Sequence, residues 1–173
     1  MKKIIVLVAI LCSIATTYSQ TTYTMGTDTG SFSTCSGTFV DSGGGGNYSN
    51  NETGGAITFC PTTPGDFIQV SFSAFNTEST TFDFLSLWNA NSNAGVADSV
   101  FGGNLGAFTI VSTSPDGCVT FEFDSDSSLT YAGWSATIAC VSPCTTPIAD
   151  LANTTTLNIC GPKPGDPHCS MNR

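Results

Sequence analysis

Between residues 68 and 72 apolar and polar side chains alternate strictly: Ile68, Val70 and Phe72 against Gln69 and Ser71. Successive side chains of a strand point to opposite faces, so this period marks a half-buried strand. It recurs from Cys118 to Phe123, with Val119, Phe121 and Phe123 inward, and again through Trp134, Ala136 and Ile138. From Phe82 to Trp88, Leu85 and Leu87 share one face while Phe84 takes the other. Cys35–Val40, Gly55–Cys60 and Ala107–Val111 are further strand candidates. Between them lie turn signals: the four-glycine run of Asp41–Asn47, the Pro61–Asp66 stretch, Asn89–Asn93, Ser114-Pro115-Asp116-Gly117 and the polar Asp124–Gly133 loop. No segment repeats with the helical period. Seven or eight short strands at this spacing predict an all-β fold, an antiparallel two-sheet sandwich or jelly roll over residues 35–141. The polar residues 21–34 read as an irregular leader.

Composition narrows the function. Glycine, serine and threonine are abundant, and 12 Phe, 4 Tyr and 2 Trp supply bulky core candidates. Asp and Glu number 13 against 4 Lys and Arg. Those four are Lys2, Lys3, Lys163 and Arg173, so nothing between Ile4 and Pro162 carries a cationic side chain. A nucleic acid is excluded as a partner, because no group can neutralise its phosphates. An anionic membrane surface is excluded for the same reason. The carboxylates must be solvated, hydrogen-bonded or bound to a metal cation.

The first 20 residues read as a signal peptide: basic Met1-Lys2-Lys3, an apolar stretch from Ile4 to Ile14, then small and polar residues up to Gln20. The apolar stretch is too short to anchor the chain in a bilayer, and no later segment is apolar enough for membrane insertion. The expected location is secreted or on the cell surface. Cys35, Cys60, Cys118, Cys140, Cys144, Cys160 and Cys169 remain after cleavage. In an exported chain without a CxxC pair these read as disulfides rather than metal ligands. Their odd number leaves one thiol free or paired elsewhere. Residues 142–173, rich in proline, read as a linker and disordered tail, or the start of a truncated further module.

Catalysis finds little support. The one histidine, His168, lies in that tail, so a Ser-His-Asp or Cys-His arrangement lacks its base. The glycine run 43–46 lacks the Gly-Lys-Ser/Thr ending of a phosphate loop and reads as a flexible turn. Trp134 and Phe123 read as core rather than as a platform for a sugar. The chain reads as a non-enzyme.

Several segments, in order, resemble a CUB domain. They are Cys35-Ser36-Gly37-Thr38-Phe39, then Gly46-Asn47-Tyr48-Ser49-Asn50-Asn51, then Ile57-Thr58-Phe59-Cys60. Val70 to Glu78 and Phe82-Asp83-Phe84-Leu85 follow, and Phe123-Asp124-Ser125-Asp126-Ser127-Ser128 precedes Gly133-Trp134-Ser135-Ala136. The Asp-Ser-Gly-Gly loop and the Asp-Gly-Cys turn resemble the version in Bacteroidetes secreted and surface proteins. The resemblance implies a Cys35–Cys60 disulfide. It departs from the family's pattern in having no cysteine between Cys60 and Cys118. Cys118 and Cys140 flank the final hairpin and form the second expected pair, Cys118–Cys140. The alternation puts Cys118 outward and Cys140 inward, which a bulge or strand-end twist must repair; Cys140 with Cys144 is the competing pair.

The resemblance further implies a calcium site of Glu78, Asp83 and Asp126, with Tyr48, Asp124 and Ser127 supporting or completing it. Three carboxylates brought together without a Lys or Arg repel, and a divalent cation relieves that. Such a site in the family receives a Lys or Arg side chain from a partner. The implied function is a recognition or adhesion module that binds an extracellular protein or glycan. The alternative is an accessory domain of a secreted hydrolase, a protease or glycosidase, whose catalytic part is not in this chain.

Overall fold

The computed structural model describes residues 20–143. The expected signal peptide lies almost wholly outside them, as do Cys144, Cys160, His168, Cys169 and nearly all of the expected tail. Among the described residues no helix is long and apolar enough to cross a membrane.

Ten strands form two five-stranded sheets. They are β1 Thr22–Thr24, β2 Gly30–Ser33, β3 Ser36–Val40, β4 Ile57–Cys60 and β5 Phe67–Asn76, followed by β6 Phe84–Trp88, β7 Ser99–Phe101, β8 Phe108–Val111, β9 Val119–Asp124 and β10 Gly133–Val141. One sheet has the order β1-β3-β10-β5-β8 and the other β2-β4-β9-β6-β7. Except for β6 and β7, which pair with each other, consecutive strands alternate between the sheets and so close the chain around one core. The seven strands expected from alternation are all present, and the all-β sandwich stands.

Three features differ from expectation. Residues 21–34 are not an irregular leader: β1 and β2 pair in parallel with β3 and β4, one on each sheet. Neither strand alternates apolar with polar residues, because both are edges with little surface to bury. Tyr23 is the exception, buried with its ring 5.0 Å from Phe32 and 5.1 Å from Phe59. The three-residue β7 is likewise too short to show a period. Finally, β9 and β10 do not form a hairpin. They lie in opposite sheets, and Phe123 meets Trp134 across the core, edge to face at 5.1 Å.

That last point overturns both expected disulfides. The chain pairs Cys35 with Cys140 and Cys60 with Cys118, not Cys35 with Cys60 or Cys118 with Cys140. Register dictates this. Phe59 faces Val119 in the β4–β9 ladder, so Cys60 and Cys118 stand one step beyond it, Cα to Cα 4.2 Å. Ser36 faces Ala139 in the β3–β10 ladder, so Cys35 and Cys140 stand one step beyond that, at 4.8 Å. Each disulfide therefore closes two adjacent strands of one sheet, and both lie at the same end of the sandwich.

The core is aromatic. Trp134 stacks on Phe75 at 5.8 Å, and Phe39 meets Phe121 at 5.3 Å. A bulge in the β5–β10 ladder lets Phe72 and Phe75, three residues apart, both face inward: Ser135 pairs with Ala74 and Ala136 with Phe72, leaving Ser73 over.

Candidate metal centre

The ends of β5 and β9 and the start of β6 converge at the end of the sandwich away from the disulfides. Glu78 follows β5, Asp83 precedes β6 and Asp126 follows β9. One carboxylate oxygen from each lies within 4.8 Å of the others. The three residues that the resemblance implied are thus brought together from positions up to 48 apart in sequence.

Asp83 is fully buried and forms the hub. Its Oδ2 accepts a hydrogen bond from the Tyr48 hydroxyl at 2.5 Å, and its Oδ1 accepts one from the Asp126 backbone N–H at 2.8 Å. The Tyr48 hydroxyl in turn accepts from the Glu78 N–H at 3.1 Å. One phenol therefore joins two of the three acidic residues. Thr77 Oγ1 lies 2.8 Å from the Glu78 carbonyl and 3.2 Å from that of Asp83, and Gly103 N–H donates to the Glu78 carbonyl at 2.6 Å. Asp126 Oδ1 accepts from the Ser128 N–H at 2.7 Å in a local turn.

Two loops hold Tyr48 in place. Asp41, also fully buried, accepts from the N–H groups of Gly43 and Trp134, each at 2.8 Å, and so ties the glycine loop to β10. Gly133 has φ +62°, and a Cβ there would run into the Asp41 carboxylate, so only glycine fits. Within the glycine run, Gly43 is the constrained member, since a Cβ would collide with the Asn47 carbonyl. The run is thus a packed turn rather than a free one. Asn47 Nδ2 donates to the Thr130 carbonyl at 2.8 Å, Tyr48 N–H to that of Tyr131 at 3.2 Å, and Asn51 N–H to that of Asp126 at 2.7 Å.

The electrostatics follow from this packing. Glu78 Oε2 is shut away from solvent with no hydrogen-bond partner. Desolvation first, then the charges of Asp126 and Asp83, push the Glu78 carboxyl above its usual range. Burial and the bond to Asp83 push the Tyr48 phenol up, so it stays protonated and donating. The described residues include no Lys, Arg or His to offset three carboxylates.

Of the other expected residues, Tyr48 hydrogen-bonds to both Asp83 and Glu78. Asp124 does not join the cluster. Alternation turns it to the outer face of its sheet, where Glu122 shares that face two residues away. Its carboxyl is raised by burial and by the Glu122 charge. The Ser127 carbonyl accepts from Asn50 Nδ2 at 3.2 Å and braces the loop. Asp41 and Gly133 were missed; no local pattern ties two residues 92 apart, though a glycine directly before an inward Trp hinted at a tight approach.

The donor set fits a hard divalent cation. Oxygens sharing one calcium lie at most roughly 5 Å apart, since each is about 2.3–2.6 Å from the ion. The three carboxylates meet that limit, and the partnerless Glu78 oxygen is one a cation would satisfy.

No protein-family model and no curated protein matches the chain. Solved structures do. The full extracellular region of zebrafish Gpr126/Adgrg6 aligns with a TM-score of 0.53 at 19% identity, over 72% of this chain and 15% of that one. The MASP-1 CUB2 domain bound to Ca2+ aligns at 0.50 and 17% identity, over 64% of this chain and 96% of that domain. The CUB1-EGF-CUB2 domains of rat MASP-1 align at 0.52 and 20% identity, over 66% and 43%. This chain therefore spans under half of two of these three structures and nearly all of the single CUB2 domain. Its fold is CUB-like.

Proposed function

We propose that this chain is an extracellular, non-catalytic recognition module whose binding end is organised by calcium held between Glu78, Asp83 and Asp126. The observation that carries the reading is the convergence of three carboxylates, one with a buried unpartnered oxygen, in a domain without cationic side chains. Repulsion among such groups opposes folding unless protons or a cation neutralise them. Calcium would leave the cluster ordered yet still acidic at its rim. A partner's Lys or Arg then supplies the complementary charge. Two disulfides suit an oxidising compartment outside the cytosol, and one of the similar structures is the extracellular region of zebrafish Gpr126/Adgrg6.

Isothermal titration of the whole chain with calcium tests the metal. One saturable site is expected, lost in Asp83→Asn. Retention on a lysine-bearing matrix tests the partner: the chain should be held in calcium and released by chelator. Absence of the saturable site sinks the metal reading, and retention that ignores the chelator sinks the calcium-dependent one.

A further inference from the structure

Three large apolar side chains stand in solvent beside the acidic cluster. Phe82, directly before Asp83, is 48% exposed, and Leu129 and Tyr131, just after Asp126, are 63% and 39% exposed. Their backbones belong to the site: the Leu129 carbonyl lies 3.5 Å from the Tyr48 hydroxyl, and the Tyr131 carbonyl accepts from the Tyr48 N–H. Leu129 also has φ +56°, a left-handed conformation that asparagine or glycine adopts more readily. Burial in the core does not account for leucine there, because most of the side chain faces outward.

We infer that Phe82, Leu129 and Tyr131 form an apolar docking rim, and that the partner is a protein segment with a basic side chain set beside apolar ones. The inference rests on the calcium reading above and adds the class of partner. Charge complementarity decides the basic residue, since half-buried Glu78 and Asp126 flank buried Asp83 at this end and no Lys, Arg or His among the described residues balances them. An aromatic ring can stack on a sugar face, but Leu129, the most exposed of the three, offers a sugar's hydroxyls no hydrogen-bonding group and favours an apolar side chain. An apolar neighbour of the basic residue would cover the rim and gain by leaving water.

Three probes separate the outcomes on the 15N-labelled chain in calcium: Ac-Leu-Lys-Leu-NH2, Ac-Ser-Lys-Ser-NH2 and a chitosan oligomer, whose protonated amines are borne on sugar. The leucine peptide should bind tighter than the serine peptide by on the order of tenfold. Phe82→Ser and Leu129→Asn should each shrink that ratio. Leu129→Asn also relieves the left-handed strain, so its loss of discrimination should come with an unchanged or raised Tm. Equal binding of the two peptides, chitosan binding as tight as the leucine peptide, or no binding of any probe overturns the rim. A calcium titration without a saturable site would show instead that the metal reading had failed, and the rim with it.

Discussion

The two ends of this sandwich solve opposite problems. At one, Cys35–Cys140 and Cys60–Cys118 clamp neighbouring strands of each sheet covalently, and no cation is needed to hold them. At the other, Glu78, Asp83 and Asp126 meet with only a phenol, a few N–H groups and no cation among the described residues. The same ten strands serve both, since every long strand has one terminus at each end. The contrast teaches that the acidic end can afford electrostatic strain because the far end is pinned. Its order is then free to depend on what binds there.

The largest effect should come from removing a pin. The two disulfides bridge residues 105 and 58 apart, and the chain-entropy model assigns loops of those sizes about 4–5 kcal/mol each. Cys35→Ser with Cys140→Ser should lower the free energy of unfolding by that order, and m should rise because the unfolded chain is no longer cross-linked there. Non-reducing peptide maps should show the two linkages named. A Cys35–Cys60 peptide would break the comparison at its covalent end.

Next in size is Tyr48→Phe. It removes the hydroxyl that donates to buried Asp83 and accepts from Glu78 N–H. Leaving a buried carboxylate oxygen short of a partner costs about 1–3 kcal/mol. The loss should be larger in chelator than in calcium, because a bound cation compensates Asp83. An equal loss in both would mean that the phenol serves only packing.

These predictions depend on residues of very different legibility. Four strands, with the inward Phe, Ile, Val, Leu and Trp on them, follow from side-chain period, and three more from apolar runs between turn signals. Edge strands β1, β2 and β7 have no such period, because an edge of three or four residues buries too little to impose one. The convergence of Glu78, Asp83 and Asp126 came from resemblance, since no local spacing links three loop ends. The disulfides were misread for an instructive reason. Cys60 shares the outward phase of Thr58, and Cys118 that of Thr120, with which Thr58 forms a hydrogen bond of 2.8 Å. Cys35 and Cys140 share the inward phase of Phe39 and Ile138. The phase mismatch between Cys118 and Cys140 was therefore the sign of the true pairing, not a defect for a bulge to repair. Taking β9 and β10 as a hairpin hid it, because nearness in sequence suggested nearness in a sheet.

The smallest expected effect is a pH dependence of the acidic end. Burial raises the carboxyls of Asp41 and Glu52 above their ordinary 3.8 and 4.5, and Glu52 also feels the Asp41 charge. With raised values the folded chain binds more protons than the unfolded one, so stability falls as pH rises. The contribution is fully present below about pH 4 and is lost as pH climbs through the raised folded values. In chelator the Tm should therefore be modestly higher near pH 4.5 than near pH 7.5. Asp41→Asn should flatten the slope, and a Tm that rises with pH over that window would show that these carboxyls are stabilised as anions.

The carboxylate end should respond to a cation and the disulfide end should not. Melting of the whole chain in millimolar calcium and in chelator, beside the Asp126→Ala variant, tests it most directly. A ligand that binds only the folded state must raise its stability by mass action, about 2.7 kcal/mol at a hundredfold excess over Kd. The native chain should gain several degrees in Tm and Asp126→Ala much less, and the variant's Tm in chelator should be no lower than the native value. Identical calcium responses in the two proteins, or none in either, would contradict calcium binding at this end.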